Sequence, residues 1–288
     1  MRTKSGRTLL VALAVGLTGC TAPRQPAPEP PTATPPVSTT TTTSESPAPQ
    51  PMQAAPGIDP AAVTAAVKSV DPAATVGVEV VDLTTGTELL AIEPDRQFRS
   101  ASLVKLLIAI DALAQGADAR VQDRIRTMLR VSDDDIASWL WVRGDGPAII
   151  RRTSESLGLT GTQPPQNAGQ WGDVLLTPHD VARVYRFVIT RLPHPERALI
   201  IDSLATAPQQ AADGFDQYFG IPSALKAPWA IKQGWSNSRT DIVVHTSGLV
   251  GENWRYVVVV LTQHPRAVPW RVATKSVTAG TQALTPPL

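Results

Sequence analysis

The first regular pattern along the chain is an alternation of hydrophobic and polar residues that predicts a β-hairpin. Thr75–Leu83 alternates with a period of two, and Thr87–Ile92 follows after a Thr-Thr-Gly turn. Upstream, Asp59 followed by a proline is typical of a helix N-cap, so a short helix is predicted from there to about Val70. The folded part of the chain therefore begins with a helix and two strands.

The middle of the chain follows a helical period instead. Residues 158–176 hold four glycines and two prolines and predict an irregular loop, after which Thr177-Pro178 begins a capped helix. The other predicted helices lie at 101–114, 118–130, 133–143, 146–157 and 195–204.

The last third returns to the strand period. Strands are predicted at 230–235, 241–250 and 254–262, with a closing helix at 269–283. Strands at both ends of a helical block predict an α+β fold, in which an antiparallel sheet is flanked by helices and carries a helical subdomain. Residues 58–288 have the length of one such domain.

The N-terminal residues 1–19 have the pattern of an export signal. Basic residues precede the apolar run Leu9–Leu17, which is too short for a transmembrane helix. The run ends in Leu17-Thr18-Gly19-Cys20, which resembles the bacterial lipobox. That resemblance implies an extracytoplasmic protein anchored to the cell membrane through acyl chains on Cys20. The alternative is an ordinary signal peptide with an incidental cysteine.

Residues 20–57 are predicted to be a disordered tether between this anchor and the domain. Residues 21–57 contain 11 prolines and 8 threonines and almost no large apolar residues, so they cannot bury a core.

Composition narrows the functional classes. A hydrophobic share of 42% with 18% charged residues suits a globular domain, and a formal net charge of +1 gives no electrostatic reason to expect nucleic-acid binding. The single cysteine allows no internal disulfide, and the four histidines show no metal-ligand spacing. We expect neither a metal nor another cofactor.

Three short motifs could carry chemistry. Ser102 and Lys105 lie three residues apart on a predicted helix, so they share a face, and a buried lysine could accept the serine proton. Ser132-Asp133-Asp134 is also consistent with a serine N-cap followed by acids, and Lys232-Gln233-Gly234 with an edge-strand lysine beside a closely approached glycine.

Taken in order, S-x-x-K, S-D-x and K-x-G resemble the serine β-lactamase and penicillin-binding protein superfamily. Met128–Asp134 and the following Gly144–Pro147 are similar to the class A β-lactamase stretch around its S-D-N motif. The resemblance implies an acyl-enzyme mechanism on β-lactams or peptidoglycan-type peptides.

The same resemblance implies a role for each matched residue. Ser102 would be the acylated nucleophile, Lys105 its proton partner, and Ser132 a proton shuttle to the leaving nitrogen. Lys232 would attract a substrate carboxylate, and the backbone N–H groups of Ser102 and Trp235 would form the oxyanion hole. The implied substrate-binding residues are Asp134, Lys232, Gln233, Gly234, Trp235 and Ser236.

Three features depart from that family pattern. Ser102 and Ser132 are 30 residues apart, about half the class A separation, so the middle block is trimmed. Asp134 replaces an asparagine, and an ionised carboxylate beside Lys105 would hold that lysine protonated and weaken it as a base. Gln233 replaces a hydroxyl residue, for which Ser236 could compensate.

The loop 158–176 contains no glutamate to activate a deacylating water, and Asp173 is its only acid. This predicts slow deacylation. Three functions stay open: a serine acyl-transfer enzyme, a catalytically degenerate protein that binds a cell-wall ligand or partner, and an esterase for another substrate. The absence of a G-x-S-x-G elbow gives no support to an α/β-hydrolase.

Overall fold

The computed structural model describes residues 57–285. The predicted signal segment, the proposed lipidation residue Cys20 and the tether up to Pro56 lie outside these described residues. Within them, no helix is both long and apolar enough to cross a membrane.

Five strands form one antiparallel sheet in the order β2-β1-β7-β6-β5. These strands are β1 Thr75–Asp82, β2 Thr87–Ile92, β5 Trp229–Asn237, β6 Asp241–Val250 and β7 Tyr256–Pro265. Two two-residue strands that the hydrophobic pattern did not predict, β3 Phe98–Arg99 and β4 Leu175–Leu176, pair separately. The order leaves β5, which carries Lys232-Gln233-Gly234, at one edge of the large sheet.

The α-helices are α1 Pro60–Val70, α2 Lys105–Ala114, α3 Ala119–Val131, α4 Asp134–Arg143, α5 Pro147–Leu157, α6 Pro178–Thr190, α7 His194–Ala205, α8 Ile221–Ala224 and α9 Trp270–Gln282. The N-caps of α1 and α6 follow from the sequence. The Asp59 carboxylate accepts from the Ala61 N–H, and the Thr177 hydroxyl accepts from the Asp180 N–H. Apart from the short α8 and the end of α6, for which no bound was predicted, each helix was predicted within a few residues.

The core lies on both faces of the sheet because strand side chains alternate. Val258 and Val260 of β7 pack on one side with α1 and α9, which contribute Val67 and Val277. Val257, Val259 and Leu261 pack on the other side against the helical block. This arrangement confirms the predicted α+β class, with an antiparallel sheet flanked by helices.

Candidate active site

Ser102 and Lys105 lie at the start of the long apolar helix. The predicted helix opens with a 3₁₀ turn at Ala101–Val104 before α2 continues, and side chains at i and i+3 eclipse in such a turn. Lys105 Nζ therefore reaches Ser102 Oγ, to which it donates at 2.7 Å. Ala101 just before the serine has a φ of +44°, a costly backbone conformation for a non-glycine residue.

A carboxylate holds the other side of the same lysine. Lys105 Nζ lies 2.6 Å from Asp134 Oδ1 at the start of α4. Burial lowers the pKa of Lys105, and the Asp134 carboxylate opposes that shift. The predicted proximity of Asp134 to Lys105 is thus present, although burial has the larger effect on the lysine.

Ser132 and Lys232 form the second serine–lysine contact. Lys232 Nζ on β5 donates to Ser132 Oγ at 2.9 Å and to the Gln233 carbonyl at 3.1 Å. Burial lowers the pKa of Lys232 well below its ordinary value, and the nearby Lys105 charge lowers it further.

Ser132 is not the N-cap that one interpretation of its sequence suggested. It ends α3 with a left-handed backbone at φ +58°, and Asp133 caps α4 instead by accepting from the Ile136 N–H at 2.8 Å. Left-handed non-glycine residues are uncommon and cluster at functional sites. The tight junction turns the serine hydroxyl towards Lys232.

Gly234 allows β5 to approach the turn that carries Ser102. A Cβ on Gly234 would lie 3.1 Å from the Ser100 carbonyl oxygen and 3.3 Å from Leu103 Cγ. Only glycine fits this approach without a shift of the neighbours. It brings the backbone of Trp235 beside the Ser102 turn, which is the arrangement that two oxyanion-hole N–H groups require.

A buried histidine fixes the strand segment just before that turn. His245 Nδ1 accepts from the Thr262 N–H at 3.2 Å, so Nε2 carries the proton and donates to the Arg99 carbonyl at 2.8 Å. Burial lowers the pKa of His245 to about 4, which keeps the imidazole neutral.

An open cleft of about 400 Å³ lies in front of Ser102. Four of the residues predicted for the site line it: Ser102, Asp134, Trp235 and Ser236. Lys105, Ser132 and Lys232 are buried and do not line the cleft. Lys105 contacts Ser102, which does line it, and Lys232 contacts Ser132. The cleft is also lined by residues that the motifs did not indicate, chiefly Arg99, Trp171, Asp173 and Asp213.

The structure corrects the expectation that the Gln233 side chain binds substrate. That side chain is completely buried, and its Nε2 donates to the carbonyls of Gln217 at 2.8 Å and Phe219 at 2.7 Å. It therefore secures the segment that carries Asp213 rather than facing the cleft. Ser236 lines the cleft and accepts from Arg99 Nη1 at 2.9 Å.

The loop 158–176 presents an indole to Lys105 and not the carboxylate that would activate a deacylating water. The Trp171 ring centroid lies 4.4 Å from Lys105 Nζ, and the indole N–H donates to Ser138 Oγ at 3.1 Å. Asp173 is 3.5 Å from Arg99, which makes a closer ion pair of 2.5 Å with Asp241. The only acid of the loop is thus directed to a guanidinium and not to Lys105.

Sequence reasoning missed Arg99, Trp171 and Asp213 for one common reason. Each enters the cleft through a contact between segments far apart in the chain, and none belongs to a motif of fixed spacing. A tryptophan in a glycine-rich loop was a weak signal, since large apolar residues are uncommon in exposed loops.

Known structures share this architecture. A β-lactamase from Chitinophaga pinensis DSM 2588 aligns with a TM-score of 0.63 and 13% identity, over 77% of this chain and 96% of its own. A β-lactamase from Sphaerobacter thermophilus DSM 20745 gives 0.61 and 19%, over 78% and 96%. A mutant of PBP-A, in an acyl-enzyme complex with penicillin G, gives 0.61 and 18%, over 80% and 97%.

At these identities the structural likeness concerns the fold, and no curated protein matches the sequence. The sequence itself matches the profile described as the beta-lactamase enzyme family over residues 61–124 and 110–282. Most of the described residues lie within these matches. The chain therefore belongs to the beta-lactamase enzyme family and has a domain of the serine β-lactamase and penicillin-binding protein superfamily.

Proposed function

We propose that this protein is a serine acyl-transfer enzyme that forms an acyl-enzyme on Ser102 with β-lactams or peptidoglycan-type peptides. The observation that carries this proposal is the contact of 2.7 Å between Lys105 Nζ and Ser102 Oγ at the bottom of an open cleft. In its neutral form, Lys105 takes the serine proton as the oxygen attacks the carbonyl carbon.

Ser132 and Lys232 serve the second half of acylation. As the C–N bond breaks, the leaving nitrogen needs a proton, which the Ser132 hydroxyl supplies; the Ser132 oxygen takes a proton in turn from the Lys232 ammonium, which donates to it. The backbone N–H groups of Ser102 and Trp235 stabilise the oxyanion. Each such donor is typically worth a factor of about 10² to 10³ in rate.

Deacylation is slow in this proposal because the loop 158–176 supplies no free carboxylate beside the ester. Asp134 is paired with Lys105, and Asp173 is directed to Arg99. The enzyme would accordingly behave as a penicillin-binding protein rather than as a fast β-lactamase. The lipobox-like sequence further supports the proposal that it is a lipoprotein of the cell membrane, facing outwards.

The test is covalent labelling of the full chain with a fluorescent penicillin. We expect the wild type to be labelled and Ser102→Ala to remain unlabelled. The matched control is Ser223→Ala, because Ser223 belongs to a second S-x-x-K sequence but lies on the short helix α8 with its hydroxyl bonded to the Tyr218 carbonyl. This control should be labelled like the wild type.

The alternative is a degenerate protein that binds a cell-wall ligand without turnover. It is favoured by one observation, the Asp134 carboxylate that opposes the lowering of the Lys105 pKa. Complete failure of the wild type to be labelled, in a folded sample, would support this alternative.

A further inference from the structure

The cleft in front of Ser102 has an acidic rim. Its lining includes three carboxylates, Asp134, Asp173 and Asp213, and one cationic side chain, Arg99. Three of these four groups are already neutralised in ion pairs. Asp134 pairs with the buried Lys105, and Arg99 lies between Asp173 and the neighbouring Asp241.

Asp213 is the exception. Among the described residues, none of the salt bridges includes it, and it is exposed at the tip of the segment that leads to α8. Its oxygens accept from two neutral donors, the Phe215 N–H and the Trp235 indole N–H, each at 3.0 Å. These bonds fix the carboxylate in place and leave its negative charge without a cationic partner.

The segment that carries Asp213 is held firmly. The Ala212 N–H donates to the Val131 carbonyl at 2.8 Å, next to Ser132. Behind it, the buried Gln233 amide donates to the carbonyls of Gln217 and Phe219. The Phe215 ring stacks on the Trp235 indole with centroids 4.6 Å apart. The charge is therefore presented to the cleft by a preorganised element.

An exposed, fixed carboxylate that lines the cleft is suited to a primary ammonium group. The carboxylate supplies the countercharge and can accept charge-assisted hydrogen bonds from the ammonium N–H groups. The Trp235 indole holds this carboxylate through its N–H, while its ring is stacked on Phe215.

We propose that Asp213, held in place by the indole N–H of Trp235, forms an ammonium-binding subsite of the cleft, so that preferred substrates carry a free amino group near the carbonyl that Ser102 attacks. This inference rests on the proposed acyl-transfer function and adds the substrate class. Among peptidoglycan-type peptides, it selects those whose side-chain or terminal amine is unsubstituted.

Three penicillins with one scaffold provide the test. Benzylpenicillin, ampicillin and carbenicillin differ at the carbon next to the side-chain carbonyl, which bears hydrogen, an amino group or a carboxylate. At about pH 6.5 an α-amino group is mostly protonated. We expect the second-order acylation rate constant for ampicillin to exceed that for carbenicillin by about fivefold, the upper end of the range for one exposed ion pair.

Asp213→Asn tests whether this residue is responsible. It should bring the ampicillin-to-carbenicillin ratio to within about twofold of one, and higher salt should shrink the wild-type ratio, because exposed charges are screened. A change common to all three penicillins would instead reflect the lysines, on whose charges Asp213 also acts. The matched control, Asp216→Asn, removes the same charge from the same segment outside the cleft and should keep the ratio.

The outcomes separate the two proposals. If benzylpenicillin acylates Ser102 but the ratio is near or below one, the ammonium subsite is wrong and the acyl-transfer function stands. A high ratio that Asp213→Asn leaves unchanged also overturns the subsite. If none of the three penicillins acylates Ser102, the proposed function fails and the subsite fails with it.

Discussion

Lys105 and Asp134 form an ion pair of 2.6 Å in which the lysine side chain is completely buried and the aspartate side chain is 65% exposed. Ligands in the cleft can therefore reach the acid but not the base. The exposed Asp134 influences the pKa of a proton acceptor that lies behind it, so a change at Asp134 can act on Ser102 through Lys105 as well as on a ligand directly.

Asp134→Asn should accelerate labelling of Ser102 by penicillin. The substitution removes the charge that opposes the lowering of the Lys105 pKa, so this pKa falls further and more lysine is neutral at pH 7. While the lysine is mostly protonated, each pKa unit is worth about a tenfold rate increase. The labelling rate between pH 5.5 and 9 should show its acidic limb moved to lower pH.

The control for this prediction is Asp135→Asn, which removes an equal charge from the next, exposed position of α4. Its pH profile should stay like that of the wild type. An equal or slower rate in Asp134→Asn, with no displacement of the profile, would contradict the proposed influence of this acid on Lys105.

Trp171 occupies the position at which a carboxylate should shorten the lifetime of the acyl-enzyme on Ser102. Mass spectrometry of the intact wild type should show a persistent penicilloyl ester, because general-base catalysis is worth a factor of about 10² to 10⁴ and the loop 158–176 supplies no free base. Trp171→Glu places a carboxylate on the loop beside Lys105 and should shorten that lifetime by about tenfold or more. Trp171→Gln, of equal size without the base, should not.

Two results would count against this view of deacylation. Rapid turnover by the wild type would mean that an unrecognised base is present. An equally long-lived ester in Trp171→Glu and Trp171→Gln would mean that position 171 does not reach the ester.

Gly234→Ala should impair acylation more than stability. The added methyl group would lie 3.1 Å from the Ser100 carbonyl oxygen, which forces β5 away from the Ser102 turn and displaces the Trp235 N–H. We expect the labelling rate to fall by about tenfold or more. Gly57→Ala, where a Cβ meets nothing within 4 Å, is the control. Normal labelling of Gly234→Ala would argue against this N–H as an oxyanion donor.

His245 makes the protein sensitive to acid. Its pKa is about 4 in the folded protein against an ordinary 6.5, so the unfolded chain binds more protons between these values. The free energy of unfolding therefore falls as pH decreases from 6.5 to 4, by about 3 kcal/mol in total. Urea unfolding at pH 7 and pH 4 should show a smaller loss for His245→Gln. An identical loss in both proteins would refute the assignment.

Cys20 is expected to anchor the protein. The native full chain should partition with membranes, and Cys20→Ala should release it or block its processing, because acyl chains on this residue provide the anchor. Fractionation of cells followed by mass spectrometry of the mature N-terminus checks both points. An unmodified Cys20 thiol on membrane-bound protein would be incompatible with this prediction.

The fold was predictable where local signals agree with the tertiary structure. Asp59-Pro60 and Thr177-Pro178 begin helices as their capping chemistry predicts, and alternation located β1, β2 and β6 closely. At Ser132 two polar residues competed for one N-cap. Asp133 occupies it, and Ser132 adopts a left-handed conformation that depends on packing between helices.

The site was predictable only where the chain keeps a motif of fixed spacing. The pair Ser102 and Lys105 needs one helical turn, which a sequence pattern contains. The stack of Trp171 on Lys105 and the turning of Gln233 towards Gln217 depend instead on how a loop and an edge strand settle against distant segments. Such contacts leave no periodic trace in the sequence.

Ala101, which precedes Ser102, and Ser132 itself both have a left-handed backbone, which lowers the stability of the protein at the site. Each holds a non-glycine backbone at a cost of about 1 to 3 kcal/mol, and glycine would remove most of it. A lineage selected for heat resistance alone would drift towards glycine at both positions, and replacement of Ser132 would also remove its hydroxyl. If both residues are retained in a selection experiment, the cleft has a function that outweighs their cost in stability.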